Sequence, residues 1–341
     1  MRLLTSVAIG AALLVLGACA SPATRHPLMA AEIGAPASTG EMEASLSRPG
    51  VVRFERVAFA EWTAGRGGFI DRDDPRTASV AKGVETAVIH AYVVDHPTRG
   101  RHLIDTGVSR NLEARLNPLM RKGLADMSVR IDRSLAEWLA GQPAPVAVFL
   151  THLHFDHVGG VIDLDPAVPV YLGPGDARET HAMNGLLGHP IDAILRGRTP
   201  LREWAFAPDP EGRFAGVLDV FGDGTVWALH TPGHSPGSTA YLINATDGPK
   251  LVVGDAASTR LNWDEAMPQP VAASARADAE LSVNRLRAFA AMHPQIEVFL
   301  GHQSRQGQGD QASAGMLWLS LPPTRIGSTR VASPLLSSVS T

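Results

Sequence analysis

Four short apolar runs in this chain each lead into a histidine or an aspartate, and this recurrence restricts the available folds more than any other feature. Val146–Leu150 leads into Thr151 and His152, and Val226–Leu229 into a loop that reaches His234. Leu251–Val253 leads into Gly254 and Asp255, and Ile296–Leu300 into Gly301 and His302. Apolar runs of this length bounded by turn residues predict buried strands. Side chains at the ends of separate strands can converge, so repeated ligand types there predict one shared site. Between the last two runs, Val283, Leu286, Phe289 and Ala290 mark a helical face. Thr86–Val94 and Arg101–Asp105 predict strands joined by a turn at His96–Gly100. Ile131, Leu135, Trp138 and Leu139 predict a helix over about residues 131–140. Strands and helices alternate, which places the chain in the α/β or α+β class.

The densest segment is Thr151–Gly160, with sequence THLHFDHVGG. His152, His154, Asp156 and His157 crowd four potential ligands into six residues directly after a predicted strand. Imidazole and carboxylate are the donors that a borderline cation such as zinc prefers. A tight loop can aim His152 and His154 at one ion and Asp156 and His157 at a neighbour, and an aspartate can bridge two cations through its two oxygens. Gly159 and Gly160 predict a sharp backbone turn into the next element. The chain has 13 histidines but one cysteine, which excludes an intramolecular disulfide and any CxxC-type metal site. Its 30 basic and 34 acidic side chains give a formal charge of −4, so there is no electrostatic reason to expect a nucleic-acid partner.

These residues resemble the metallo-β-lactamase superfamily. HLHFDH followed by His234, Asp255 and His302 matches the family's ligand order over roughly Val51 to His302. The resemblance implies an αββα four-layer sandwich with the metal site at one edge of two mixed sheets. It implies that His152, His154 and His234 hold one divalent ion, that Asp156, His157 and His302 hold a second, and that Asp255 bridges them with a hydroxide. Zinc is the expected metal. The implied chemistry is attack of that hydroxide on a carbonyl or phosphoryl centre, with Asp156 and Asp255 as the catalytic carboxylates. Asp105, in Ile104–Gly107, matches a family motif near the metals and is expected to support ligands rather than bind metal. His90, His96, His102, His181, His189, His230 and His293 have no ligand-like neighbours and are expected to be structural.

Among the branches of the family, redox members resembling flavodiiron proteins have Glu where this chain has His154. Zinc β-lactamases lack an aspartate at the Asp255 position. Glyoxalase II has a substantial C-terminal domain, whereas 341 − 302 = 39 residues follow His302 here. The segments around Val93–Pro97, Leu103–Gly107, Thr231–Ser238 and Phe299–His302 look most like the N-acyl-homoserine lactonases, which implies a small lactone or ester substrate. Those enzymes often carry a tyrosine three residues after the bridging aspartate, where this chain has Ser258. The alternatives are an exported organophosphate or carboxyl-ester hydrolase and a non-catalytic metal-clamped lipoprotein. Pocket walls are expected from residues 61–76, 186–204 and 262–269, with Trp62, Phe69 and Trp263 either lining an apolar groove or packing.

Residues 1–18 combine Arg2 with a nearly uncharged run, which predicts a signal peptide too short for a comfortable membrane span. Leu16-Gly17-Ala18-Cys19 resembles the lipobox of bacterial lipoproteins, which implies a lipid on Cys19 and attachment to a membrane facing the periplasm, and Ala20 after the cysteine resembles lipoproteins sent to the outer membrane. Residues 19–50 are rich in Ala, Ser, Pro, Thr and Gly and predict a flexible tether, residues 51–302 the hydrolase domain, and residues 303–341 a mostly irregular tail.

Overall fold

The structure, a computed structural model, describes residues 24–127, 129–178 and 190–303. The signal peptide, Cys19 and the expected irregular tail beyond Gln303 lie outside the described residues, as do His181 and His189. Strands β1 (Leu28–Ala30), β2 (Ala35–Ala37), β3 (Arg53–Gly65), β4 (Val84–His96) and β5 (Gly100–Ile104) come first. Then follow β6 (Arg130–Ile131), β7 (Ala147–Phe149), β8 (Val170–Leu172) and β9 (Leu201–Glu203). The last group is β10 (Gly216–Asp219), β11 (Val226–His230), β12 (Thr239–Ala245), β13 (Gly248–Val252) and β14 (Glu297–Phe299). They form one sheet of order β1-β9-β8-β7-β5-β4-β3-β6 and a second of order β14-β13-β12-β11-β10-β2. Both sheets mix parallel and antiparallel pairs.

Strand alternation builds the layers. Successive side chains point to opposite faces, and in β4 Tyr92 and Val94 enter the core between the sheets while Ala91 and Val93 enter the core outside the first sheet. In β12 Tyr241 and Ile243 face the inter-sheet core, and Ala240 and Leu242 face the core outside the second sheet. Strands buried on both faces read as continuous apolar runs, which is why these were visible in the sequence. Leu286 and Phe289, on the helix Arg276–Met292, cover the second sheet. Leu135 and Trp138, on the helix Leu135–Leu139, cover the first. The result is the expected αββα sandwich.

Three expectations need correction. The helix predicted over residues 131–140 is shorter, because Ile131 belongs to β6 opposite Ala60. Ser134 and Glu137 form a reciprocal capping box that starts the helix after that strand. Neither Gly159 nor Gly160 has positive φ. At Gly160 a Cβ would sit 2.0 Å from the carbonyl oxygen of Thr106, so this glycine serves close backbone approach rather than a turn.

The third correction concerns residues 19–50, which are not a tether throughout. β1 pairs with β9 at the edge of the first sheet, and β2 pairs with β10 at the edge of the second. Pro36 is tolerated in β2 because that strand is an edge. The helix Thr39–Ser45 then begins at a capping box between Ser38 and Glu41 and buries Met42 completely. The folded body therefore reaches back at least to Thr24, and a single N-terminal stretch closes one edge of both sheets. Met42 packs with Trp227, Leu229 and Leu242 in the outer core. Met42→Ala is expected to lower the unfolding free energy by about 2–5 kcal/mol, the usual range for emptying a full core site. Denaturant titration measures it, and a loss below about 0.5 kcal/mol would mean that this helix is not part of the folding unit.

Candidate metal centre

The loop after β7 carries the first four ligand candidates. Its conformation is pinned from behind by Asp105, which follows β5 and has a left-handed backbone, with φ of 56°. Aspartate tolerates that region better than most residues. Asp105 Oδ1 accepts from the backbone N–H of Thr151 at 2.8 Å, and Oδ2 lies 2.8 Å from Nδ1 of His157. The Thr151 hydroxyl donates to the same carboxylate at 2.9 Å. A His157 that gives its Nδ1 proton to Asp105 presents Nε2 to the cleft. Asp105 thus has the supporting place expected for it.

The seven predicted residues come together in three overlapping groups. His152, His154 and His234 form one, His152, His157 and Asp255 a second, and Asp156, His157 and His302 a third, with donor atoms inside each group within 4.8 Å of one another. In the first group Nδ1 of His154 is 2.8 Å from Nε2 of His152 and 3.0 Å from Nε2 of His234. Asp255 stands between the ends of the cleft. Its Oδ2 is 3.6 Å from Nε2 of His234 and 3.2 Å from Nε2 of His302, and its Oδ1 is 3.8 Å from Nε2 of His157. Asp156 Oδ2 is 3.4 Å from Nε2 of His302. Gly301 makes this possible, because a Cβ there would lie 1.9 Å from Oδ1 of Asp255.

This donor set fits divalent cations. Among the described residues, Nε2 of His157 and Oδ1 of Asp255 are buried without a hydrogen-bond partner. Orphaned buried polar atoms are costly, and both point among the other donors. In the first group Nδ1 of His154 lies within hydrogen-bond distance of both Nε2 of His152 and Nε2 of His234, and one proton cannot serve three lone pairs equally. A cation accepting three lone pairs does.

The electrostatics divide the groups. Burial lowers the pKa of His152 well below the usual range, holds His154 near about 3 and also lowers His234, with neighbouring imidazolium charges adding to the effect. These three are neutral and ready to ligate. Burial also opposes charge on His157, but the carboxylates of Asp105, Asp156 and Asp255 outweigh it and push the pKa up to about 10. His302 moves the same way, as Asp255 and Asp156 overcome its burial. Burial disfavours ionised Asp255, yet His302, His234 and His157 hold its pKa well below the carboxylate range.

Other candidates fall where packing puts them. His90 is buried in β4 with Nδ1 3.4 Å from the Gly301 carbonyl, and His102 stacks on Phe149. His96 pairs with Asp223, His293 with Glu43, and His230 with the Pro236 carbonyl. Trp62 meets His302 edge-on at 4.9 Å between ring centroids, so it does border the site. Phe69 and Trp263 belong to the outer cores. The Ser258 hydroxyl donates to Gln269 Oε1 at 3.2 Å. Gln269 in turn donates to the Asp255 and Ala256 carbonyls at 2.7 Å each, which fixes the turn that carries Asp255.

The sequence reading missed one residue. Asp176 is fully buried, and its Oδ2 and Oδ1 accept from the backbone N–H groups of Leu153 and Gly237 at 2.9 and 2.8 Å. It follows β8 through a Gly-Pro-Gly turn, the same strand-then-carboxylate pattern that marked Asp255.

The model of the metallo-beta-lactamase superfamily matches residues 86–302, and the chain belongs to that superfamily. It is similar to the N-acyl homoserine lactonase AttM of Agrobacterium fabrum strain C58, 30% identical over 171 residues. That match spans 48% of this chain and 60% of the relative. A quorum-quenching N-acyl homoserine lactone lactonase of known structure shares the fold, with a TM-score of 0.55 at 18% identity over 76% of this chain and 96% of that one. So does an N-acyl homoserine lactone hydrolase with the product N-hexanoyl-L-homoserine at its catalytic metal centre, with a TM-score of 0.52 at 18% identity over 74% and 93% of the two chains.

The charge division leads to a proton count. At pH 8 the first group is neutral, so filling it releases no proton. A His157 with a pKa of about 10 is protonated at pH 8 and must lose its proton to ligate. Zinc uptake at the second group is therefore expected to release about one proton or more and to strengthen as pH rises from 7 towards 10. Calorimetric titration in buffers of different ionisation enthalpy reads both events. Equal proton release at the two steps would contradict the division.

Proposed function

We propose that the protein is a metal-dependent hydrolase of lactones and related carboxyl esters, with N-acyl homoserine lactones as the substrate class. The observation that carries this reading is the convergence of five imidazoles and two carboxylates in a chain of this superfamily. His152, His154 and His234 would hold one divalent ion, Asp156, His157 and His302 another, and Asp255 faces both groups. Zinc suits these donors. When bound, such ions supply Lewis acidity and an ionised water at neutral pH. The chain provides the rest. His154, Asp156 and His234 are partly exposed while His152, His157 and His302 are buried, so substrate would enter across the face that His154, Asp156 and His234 share. Asp156 would accept a hydrogen bond from the attacking water and orient it.

A mainly apolar cavity beside the ligand loop would suit an acyl chain. This cavity of about 120 Å³ is lined by Ile89, Val108, Leu112, Val129, Ile131 and Phe155, with Ser109, Arg110 and Glu113 also on its wall. Phe155, which sits between His154 and Asp156 in the ligand loop, forms part of its wall, although none of the seven candidate ligands does. A second reading, open-chain esters or organophosphates, is favoured by Ser258, whose hydroxyl is turned to Gln269 where many lactonases have a tyrosine.

The zinc-loaded protein is expected to open N-acyl homoserine lactones faster than it cleaves aryl esters, phosphotriesters or a β-lactam, and to lose activity on chelation. The reverse order would select the second reading. Asp255→Ala removes a residue worth several kcal/mol of transition-state stabilisation and should cost about 10³-fold or more in kcat/KM. Ser258→Ala should cost less than about tenfold. Asp255→Ala retaining near wild-type turnover with two ions bound would contradict the shared role of this carboxylate.

We also propose export and lipid attachment at Cys19. Thr24 already hydrogen-bonds to Ala177 in the folded body. The five residues from Cys19 to Thr24 span at most about 18 Å when extended, so the body would sit close to the membrane rather than on a long tether. Cys19→Ser is expected to move the protein into the soluble fraction or leave it unprocessed. Native protein recovered as soluble material with a free thiol would refute the anchor.

A further inference from the structure

The first ligand group is assembled from two sheets. His152 and His154 follow β7 of the first sheet, and His234 follows β11 of the second. Its geometry therefore depends on what joins the sheets at that edge. The joint is narrow. A Cβ on Gly173 would lie 1.8 Å from the Gly237 carbonyl oxygen, and one on Gly237 would lie 2.9 Å from Cβ of Asp176. Two contacts close it. The Thr239 N–H donates to the Thr151 carbonyl at 2.8 Å, and Asp176 puts one carboxylate oxygen on the N–H of Leu153, between the two loop histidines, and the other on the N–H of Gly237, three residues beyond His234.

The second group has a separate joint. The Val88 N–H donates to the His302 carbonyl at 2.9 Å, and Nδ1 of His302 lies 3.1 Å from the Val88 carbonyl. This ties His302 to β4 of the first sheet without Asp176.

We propose that Asp176 is a positioning residue for the first ligand group alone. It sets the distance of His152 and His154 from His234 and so tunes the affinity of that group for a divalent ion. Resting on the two-ion reading above, the inference adds a residue to it that touches neither ion nor substrate. Asparagine has the same shape but one acceptor oxygen, so Asp176→Asn leaves one of the two N–H groups facing an NH₂. Partners of this kind typically tune metal affinity by about 10–100-fold.

The test is zinc affinity, measured by competition with a chromophoric chelator, first in the wild type and then in two backgrounds. His302→Ala cripples the second group and His234→Ala the first. Asp176→Asn is expected to weaken zinc binding about 10–100-fold in the His302→Ala background and less than about twofold in the His234→Ala background. Equal losses in both backgrounds, or no loss in the first, would overturn the proposal. Asp176→Ser, which keeps an acceptor oxygen, carries the same expectation should the asparagine variant fail to fold. Failure of both to fold would assign the carboxylate to general stability and overturn it as well. A wild-type chain that bound no zinc would refute the two-ion reading and this inference together. Zinc binding by the wild type with the wrong pattern in the variants would refute this inference only.

Discussion

Two buried carboxylates, Asp255 among three imidazoles and Asp105 behind one of them, set the terms for the rest of the molecule at the seam where two sheets end. Taking ionised groups out of water costs several kcal/mol each unless opposite charge and hydrogen bonds compensate. Asp255 is buried, with the imidazoles of His157, His234 and His302 around it and charge favoured on the first and last. Asp105 is buried against His157 and Thr151. Compensation is incomplete at Nε2 of His157 and Oδ1 of Asp255. Divalent cations between these groups would complete it, so the demand for metal is written into the burial of the ligands themselves.

Holding that arrangement requires stiffness behind every ligand. Asp105 accepts a left-handed backbone to reach both the Thr151 amide and His157. Gln269 grips the carbonyls of Asp255 and Ala256. Gly160 and Gly301 lack a Cβ where the Thr106 carbonyl and the Asp255 carboxylate come close. Such strain and close approach concentrate where a structure must over-determine a geometry. The two sheets meet at this seam through Asp176 and the Thr239–Thr151 backbone bond on one side and the Val88–His302 pairing on the other. At another edge they are joined by a single stretch containing β1 and β2.

Much of this was legible in the residues. Strands buried on both faces announce themselves as apolar runs, and a ligand placed just past each run needs only the αββα layering to converge. Asp176 carried the same signal as Asp255 but lacks a ligand-rich neighbourhood, so nothing in the sequence alone set it apart from a turn aspartate. Residues 24–50 misled because composition outweighed pattern. Pro36 and the alanines suggest a linker, yet the Ser38–Glu41 capping box and Met42 were present as local signals. Edge strands of three residues, such as β1 and β2, leave almost no periodicity to read.

The most direct test of the account is the position of metal in crystals grown with zinc, located by anomalous scattering at the zinc edge. Two peaks are predicted, one in contact with His152, His154 and His234 and the other with Asp156, His157 and His302, with Asp255 touching both. A single peak at full occupancy in excess zinc, or peaks away from these seven side chains, would contradict the dinuclear centre.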